Sequence, residues 1–273
     1  MRASRGARPV RLGPRAVVAL VLVGAVGLMA FCWPLLAGRD SGLSHGQAAP
    51  WLFAALLVLL VGVAVAAVAD DGLDSKSVAM LGVLAAVGAA LRPLGAGTAG
   101  LEPMFFLMLL SGRVLGPGFA FVLGGVTMFA SALLTGGVGP WMPFQMLSMG
   151  WFTMGAGLLP APERLRGRGE VLMLAAYGFV ASFGYGTLMN LQGWTLLQGQ
   201  ASGISYDPGG PLHENLVRFV TYCLVTSLGW DLGRAVLTVV LVLAVGPSLL
   251  RALRRATRRA AFDARPAFDA PEK

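Results

Sequence analysis

The chain has 273 residues, 56% of them hydrophobic and 12% charged, with a mean hydropathy of +0.72 and a formal charge of +8. A water-soluble globule carries about twice that charged fraction, so composition excludes one and implies an integral membrane protein. The basic excess flanks apolar runs, where arginine sets membrane orientation. No basic fold motif accompanies it, which excludes nucleic acid as a partner.

The first apolar run, Ala16 to Leu36, follows Arg2, Arg5, Arg8, Arg11 and Arg15. Its length argues for a span rather than a cleaved signal, and Phe31 stands where a lipoprotein signal needs a small residue before Cys32. The second run, Trp51 to Val68, is long enough to cross, with Trp51 as an interfacial anchor. An acidic linker around Asp70, Asp71 and Asp74 separates this pair from the rest. Then come Ser77 to Leu91, a short Pro103 to Leu110 segment, Phe119 to Leu134, Trp141 to Leu159, Val171 to Leu191, and a last span ending near Leu250. Leu216 to Leu250 exceeds one simple crossing, and Gly229 and Gly233 suggest a break, so Leu216 to Leu228 reads as a separate helix across the outer mouth.

The expected fold is therefore all-α, a polytopic membrane helix bundle of eight segments. A basic N-terminus (1–15) and two extra helices (16–68) precede a six-helix working unit (77–250), and a basic tail running into disorder follows (251–273). Arginines cluster before the first span, at Arg164, Arg166 and Arg168, and at Arg251, Arg254, Arg255, Arg258 and Arg259. All three clusters fall on one side. The loop Gly193 to Glu214 has no lysine or arginine, so both termini are expected in the cytoplasm.

No catalytic constellation is visible: no serine elbow, no phosphate-cradling loop and no HExxH, with His45 and His213 in expected outer loops. Cys32 and Cys223 lie inside apolar stretches and imply neither a disulfide nor a metal site. No cofactor is expected, and ATP-driven work would need partner subunits. At 100° per residue, Trp141, Gln145, Ser148 and Phe152 share one helix face, giving an amide, a hydroxyl and two flat apolar surfaces suited to a vitamin-sized ligand.

Charges at membrane depth are costly and so are functional candidates. Arg92 and Glu102 flank a short loop, either bridging each other or facing a ligand; Asp231 and Arg234 have the same ambiguity on one helix turn. Arg113 and Arg218 are expected to snorkel to interfaces or lipid head groups. Tyr185 shares a face with Gly178 and Ser182, and Asn190 sits near the outer end. Gly82, Ala86 and Ala90 form a small-residue stripe that lets another helix approach.

The stretches VLAAVGAALRPLG, LEPMFFLMLLSGRVLGPG, GGVGPWMPFQM followed by GW, AYGFVASFGYGTLMN and GWDLGRA make Ser77 to Leu250 resemble the substrate-binding S components of energy-coupling factor (ECF) transporters, the vitamin-uptake members of the ABC superfamily. The resemblance implies six helices that bind a vitamin near the outer face. It also implies a membrane coupling subunit and two ATPases as partners, with Gly82, Ala86 and Ala90 touching the coupling subunit, and a body that topples to release its ligand inward. The extra helix pair departs from the family pattern. The leading expectation is a bacterial plasma-membrane S component binding a water-soluble vitamin or precursor through Arg92, Trp141, Gln145, Ser148, Tyr185, Asn190 and Trp230. A large, mostly neutral, cobalamin-like ligand comes first, because a strongly anionic one would want more clustered arginine. The alternatives are an integral-membrane enzyme acting on lipid-linked substrates with Glu102 and Asp231 as acid and base, and a membrane scaffold protein.

Overall fold

A computed structural model describes residues 13–36, 55–63, 66, 75–95, 100–160, 165, 167–195 and 203–260. Residues 1–12 of the basic N-terminus, His45, the expected anchor Trp51, the acidic linker, Arg164, Arg166 and the acidic end of the tail lie outside the described residues. Among the described residues ten helices follow one another: α1 (Pro14–Leu36), α2 (55–63), α3 (Ser75–Leu91), α4 (Met104–Leu115), α5 (Pro117–Thr135), α6 (Met142–Leu158), α7 (Arg168–Trp194), α8 (Leu212–Tyr222), α9 (Leu228–Ala244) and α10 (Gly246–Ala260). Where they are described, the expected apolar segments up to Leu191 fall on helices, and five helical runs among the described residues are long and apolar enough to cross a membrane. The chain is a polytopic membrane helix bundle.

At 12 residues α4 is too short to cross alone. It needs no lipid contact, because every residue in it except Val114 is buried. A helix apolar all round becomes the centre of a bundle, and here α5, α6, α7, α9 and α10 surround it. The Pro117 ring opens α5 at a position whose missing N–H costs nothing. Gly124 of α5 faces the Met149 carbonyl of α6 so closely that a Cβ would overlap the backbone, and this absence of side chain lets the two helices make the most extensive contact in the bundle. Phe105, Phe119, Met108, Leu109 and Leu123 fill the centre.

The extra helix pair forms its own apolar cluster. Val23, Ala30 and Phe31 of α1 and Leu56, Leu60 and Val63 of α2 pack with Phe121, Phe144, Leu147 and Leu191, and the Phe31 ring meets Phe144 edge-on at 5.1 Å. Trp151, turned away from Gln145, also packs here, 6.0 Å from Phe31. Beyond α2, α1 thus contacts α6, α7 and α8. In contrast α3 packs against α5 and α4 and is the least buried of the candidate spans, at 22%. The stripe Gly82, Ala86 and Ala90 is exposed.

The last third of the chain corrects two expectations. Leu216 to Leu228 is not separated by a break at Gly229 and Gly233: α8, a π-helical turn at Cys223–Ser227 and α9 run on as one 33-residue helix. Glycine permits a break but does not force one, and the extra residue is absorbed as a π-bulge six residues earlier than Gly229. At about 1.5 Å per residue the run is roughly 50 Å long, against a hydrocarbon core of about 30 Å, so its first turns extend beyond the core or the whole run tilts. Nor does the span end near Leu250. It stops at Ala244, and α10 begins at Gly246 as a strongly amphipathic helix whose Leu250 and Leu253 are buried against α4.

Candidate functional site

Polar residues concentrate at two levels of the bundle. The first lies towards the end where α3 finishes and α4 and α6 begin. Arg234 of α9 donates from Nε to Glu102 Oε2 at 2.9 Å and from Nη1 to Asp231 Oδ1 at 2.7 Å and to the Ser182 carbonyl at 3.3 Å. Its guanidinium carbon lies 5.0 Å from the ring centres of both Phe105 and Tyr185. These two rings meet edge-on at 4.9 Å. A planar cation with five donors suits this setting, satisfying two carboxylates and a carbonyl in its plane while its faces stack on aromatics. Gly186 of α7 is what admits the Asp231 carboxylate, since a Cβ there would collide with it.

The expected alternative of an Arg92–Glu102 bridge is therefore not what forms: Glu102 is taken by Arg234. Arg92, half-buried at the end of α3, donates instead to Ser131 Oγ of α5 at 3.2 Å, and it lies within electrostatic range of the Tyr185 hydroxyl, as do Glu102 and Arg234. Two carboxylates thus share one arginine, and Arg92 makes no ion pair among the described residues.

The other candidates are distributed around this cluster. Ser148 is buried with Oγ 4.0 Å from Met189 Sδ, and Phe152 is buried edge-on to Phe105 at 5.0 Å. Gln145 is half-buried. Trp141 stands at the outer edge of the face it shares by helical spacing. Its ring is 40% exposed and its indole N–H turns back to the Gly137 carbonyl at 3.0 Å, because as N-cap of α6 it stands at the edge where the face leaves the bundle. Asn190 accepts from Ser227 Oγ at 2.8 Å and contacts Cys223 Sγ at 3.3 Å, so it meets the π-bulge. Trp230 is 49% exposed on the first turn of α9.

Sequence reasoning missed the cap at this end. Trp194 is fully buried, donates to the Ile204 carbonyl at 2.7 Å and packs on Tyr206 and Phe219, both at 5.2 Å. Asn215 clamps the Asp207 backbone at 3.2 and 2.8 Å. Burial, and then the charge of Asp207, push the Tyr206 phenol above its usual pKa. Arg218, expected at a lipid interface, instead pairs with Asp207 at 3.2 Å and Glu214 at 3.7 Å. No signal in a polar, glycine-rich loop announces that its end folds back on a tryptophan.

The second level is at the opposite end. Arg113, also expected to snorkel, is buried and donates from Nε to Glu170 Oε1 at 2.7 Å and from Nη1 to the Leu159 carbonyl at 3.2 Å, and Arg254 reaches the same Glu170 oxygen at 2.6 Å. This pairing sutures α4, α7 and α10.

Glu102 and Asp231, the acid and base of the enzyme alternative, are both paired with Arg234. Among the described residues no group of histidines, cysteines and carboxylates could hold a metal. Residues 76–246 match the family model described as ECF transporter, substrate-specific component, and the chain belongs to that family. It is a transport binding subunit of the membrane, not an enzyme, and works with an ECF energising module. No curated protein and no solved structure matches significantly.

Proposed function

We propose that this chain captures a water-soluble vitamin or vitamin precursor from outside the cell and delivers it inward with a membrane coupling subunit and two ATPases. In this reading both termini are cytoplasmic, and Trp141, Asn190, Trp230 and the cap around Trp194 face outward. The six helices α3 to α9, with α8 and α9 as one, form the binding core, and Arg92, Gln145, Ser148, Tyr185, Asn190 and Trp230 line the ligand's approach. The observation that carries the site is the ion cluster around Tyr185, because buried charge at membrane depth is retained where it has work to do. With Arg234 held by two carboxylates, Arg92 is the cation near Tyr185, among the described residues, that is left to meet a negative or carbonyl group. That favours a large, mostly neutral ligand over a strongly anionic one. Cobalamin-like compounds come first for testing, with riboflavin-type vitamins beside them.

The site is tested with Arg92→Gln, which removes the charge but keeps a hydrogen-bonding end. Affinity for the vitamin that stabilises the wild type should fall by about tenfold or more, the worth of a charge-assisted hydrogen bond, while the unfolding temperature without ligand stays unchanged. Unaltered affinity would remove Arg92 from the site.

The coupling surface follows from exposure. Gly82, Ala86 and Ala90 lie on the side of α3 turned away from the core, nothing stands within 4 Å of a Cβ at Gly82, and the extra helices occupy another side of the bundle. Gly82→Leu should therefore leave the isolated chain as stable as wild type and abolish its co-purification with the coupling module, because leucine blocks close helix approach. Retained co-purification would move the contact elsewhere.

A further inference from the structure

The end of the bundle that carries Arg113 and Glu170 also contains an open groove of about 620 Å³ between the start of α7 and the junction of α9 with α10. Arg168, Arg251 and Arg254 line its polar side, with Glu170 between them, and Leu172 and Leu243 are among its apolar walls. The charge is one-sided. Glu170 is the only carboxylate among the lining residues, and two guanidiniums already share it, those of Arg113 and Arg254; Nη2 of Arg113 is buried without a partner. Arg168 and Arg251 are exposed, Arg251 donating to the Ser248 hydroxyl at 3.1 Å, and the first turn of α7 has no side-chain cap at Gly167. The apolar side is equally directional. Leu172 and Leu243 are 61% and 47% exposed, and Val236 and Val240 carry the same exposed face up α9.

We infer that this groove is a binding site for one anionic phospholipid, its phosphate between Arg168 and Arg251 and an acyl chain along Leu172, Leu243 and Val240. Charge complementarity selects the occupant: a groove of three arginines against one neutralised carboxylate takes an anion. The apolar wall running from it along a span matches a diacyl tail and gives no advantage to inorganic phosphate. A lipid here would bridge α7 to α10, adding to the attachment that the buried Leu250 and Leu253 and the Arg254–Glu170 pair provide.

The test is titration of the purified full chain by native mass spectrometry with phosphatidylglycerol, phosphatidylcholine and inorganic phosphate. Arg168→Gln/Arg251→Gln is compared with Arg258→Gln/Arg259→Gln, which loses the same charge from α10 outside the groove. Wild type should bind one phosphatidylglycerol in preference to phosphatidylcholine and gain nothing from phosphate. The groove variant should lose about 30-fold in phosphatidylglycerol affinity, the effect of two surface arginines, and the control about twofold or less. Equal losses in both variants would reduce the groove to general surface charge and overturn the inference, as would equal binding of both lipids. Arg254 is left intact, so the Glu170 pairing and the fold are preserved.

Discussion

Arg234→Ala is expected to destabilise the protein by about 3–5 kcal/mol, the cost of removing one partner from a buried ion pair. The loss is not that of the contacts alone. Arg234 is the shared cation of Glu102 and Asp231, and its removal leaves two carboxylates facing each other in a region where only 9% of the Asp231 side chain is exposed. It also empties the space against Phe105 and Tyr185 that the guanidinium fills. Arg234→Lys should recover only part, because an ammonium cannot span Glu102, Asp231 and the Ser182 carbonyl in one plane. Thermal and denaturant unfolding in detergent measures this, with Arg218→Ala as the control. That arginine pairs with carboxylates 43% and 48% exposed, and exposed pairs contribute about 1 kcal/mol or less. Equal stability of the two alanine variants would mean that the cluster is not held together as described.

Gly100→Ala should cost about 2–4 kcal/mol and reduce ligand affinity together with stability. Gly100 has φ +82°, a left-handed conformation that side chains resist, and a Cβ there would run into the Trp230 backbone of α9. The first penalty is local. The second pushes the segment leading to α4 off α9, and Glu102, two residues on, leaves Arg234. A serine or alanine at Gly136, also left-handed but with open space around it, should show the local penalty alone, about 1 kcal/mol. If Gly100→Ala behaves no worse than Gly136→Ala, the close approach to Trp230 is not what fixes the loop.

The bundle was legible because apolar runs in a chain so poor in charge have few uses other than membrane helices. Individual helices were less so where length and hydropathy pull apart. The 12 residues of α4 are too few for a span, and only packing reveals that they form the centre. The joined α8 and α9 run shows the reverse: glycines marked a break that a π-bulge made unnecessary. At the site, sequence found the four charges Arg92, Glu102, Asp231 and Arg234, but pairing across 132 positions, Arg234 to Glu102, is invisible to spacing arguments, which favour neighbours. The face argument put Trp141, Gln145, Ser148 and Phe152 on one side of α6; in the structure Ser148 and Phe152 are buried and Trp141, as N-cap, is exposed at the edge. Phe105 and Ser182, which stack on and accept from Arg234, look in the sequence like ordinary packing residues.

The most direct test of the central claim is mass spectrometry of small molecules released from the chain after purification in detergent from cells grown on rich medium. The account predicts one vitamin or vitamin precursor per chain, lost or much reduced in Arg92→Gln. A chain that carries no small molecule and is stabilised by none of a panel of vitamins would contradict it.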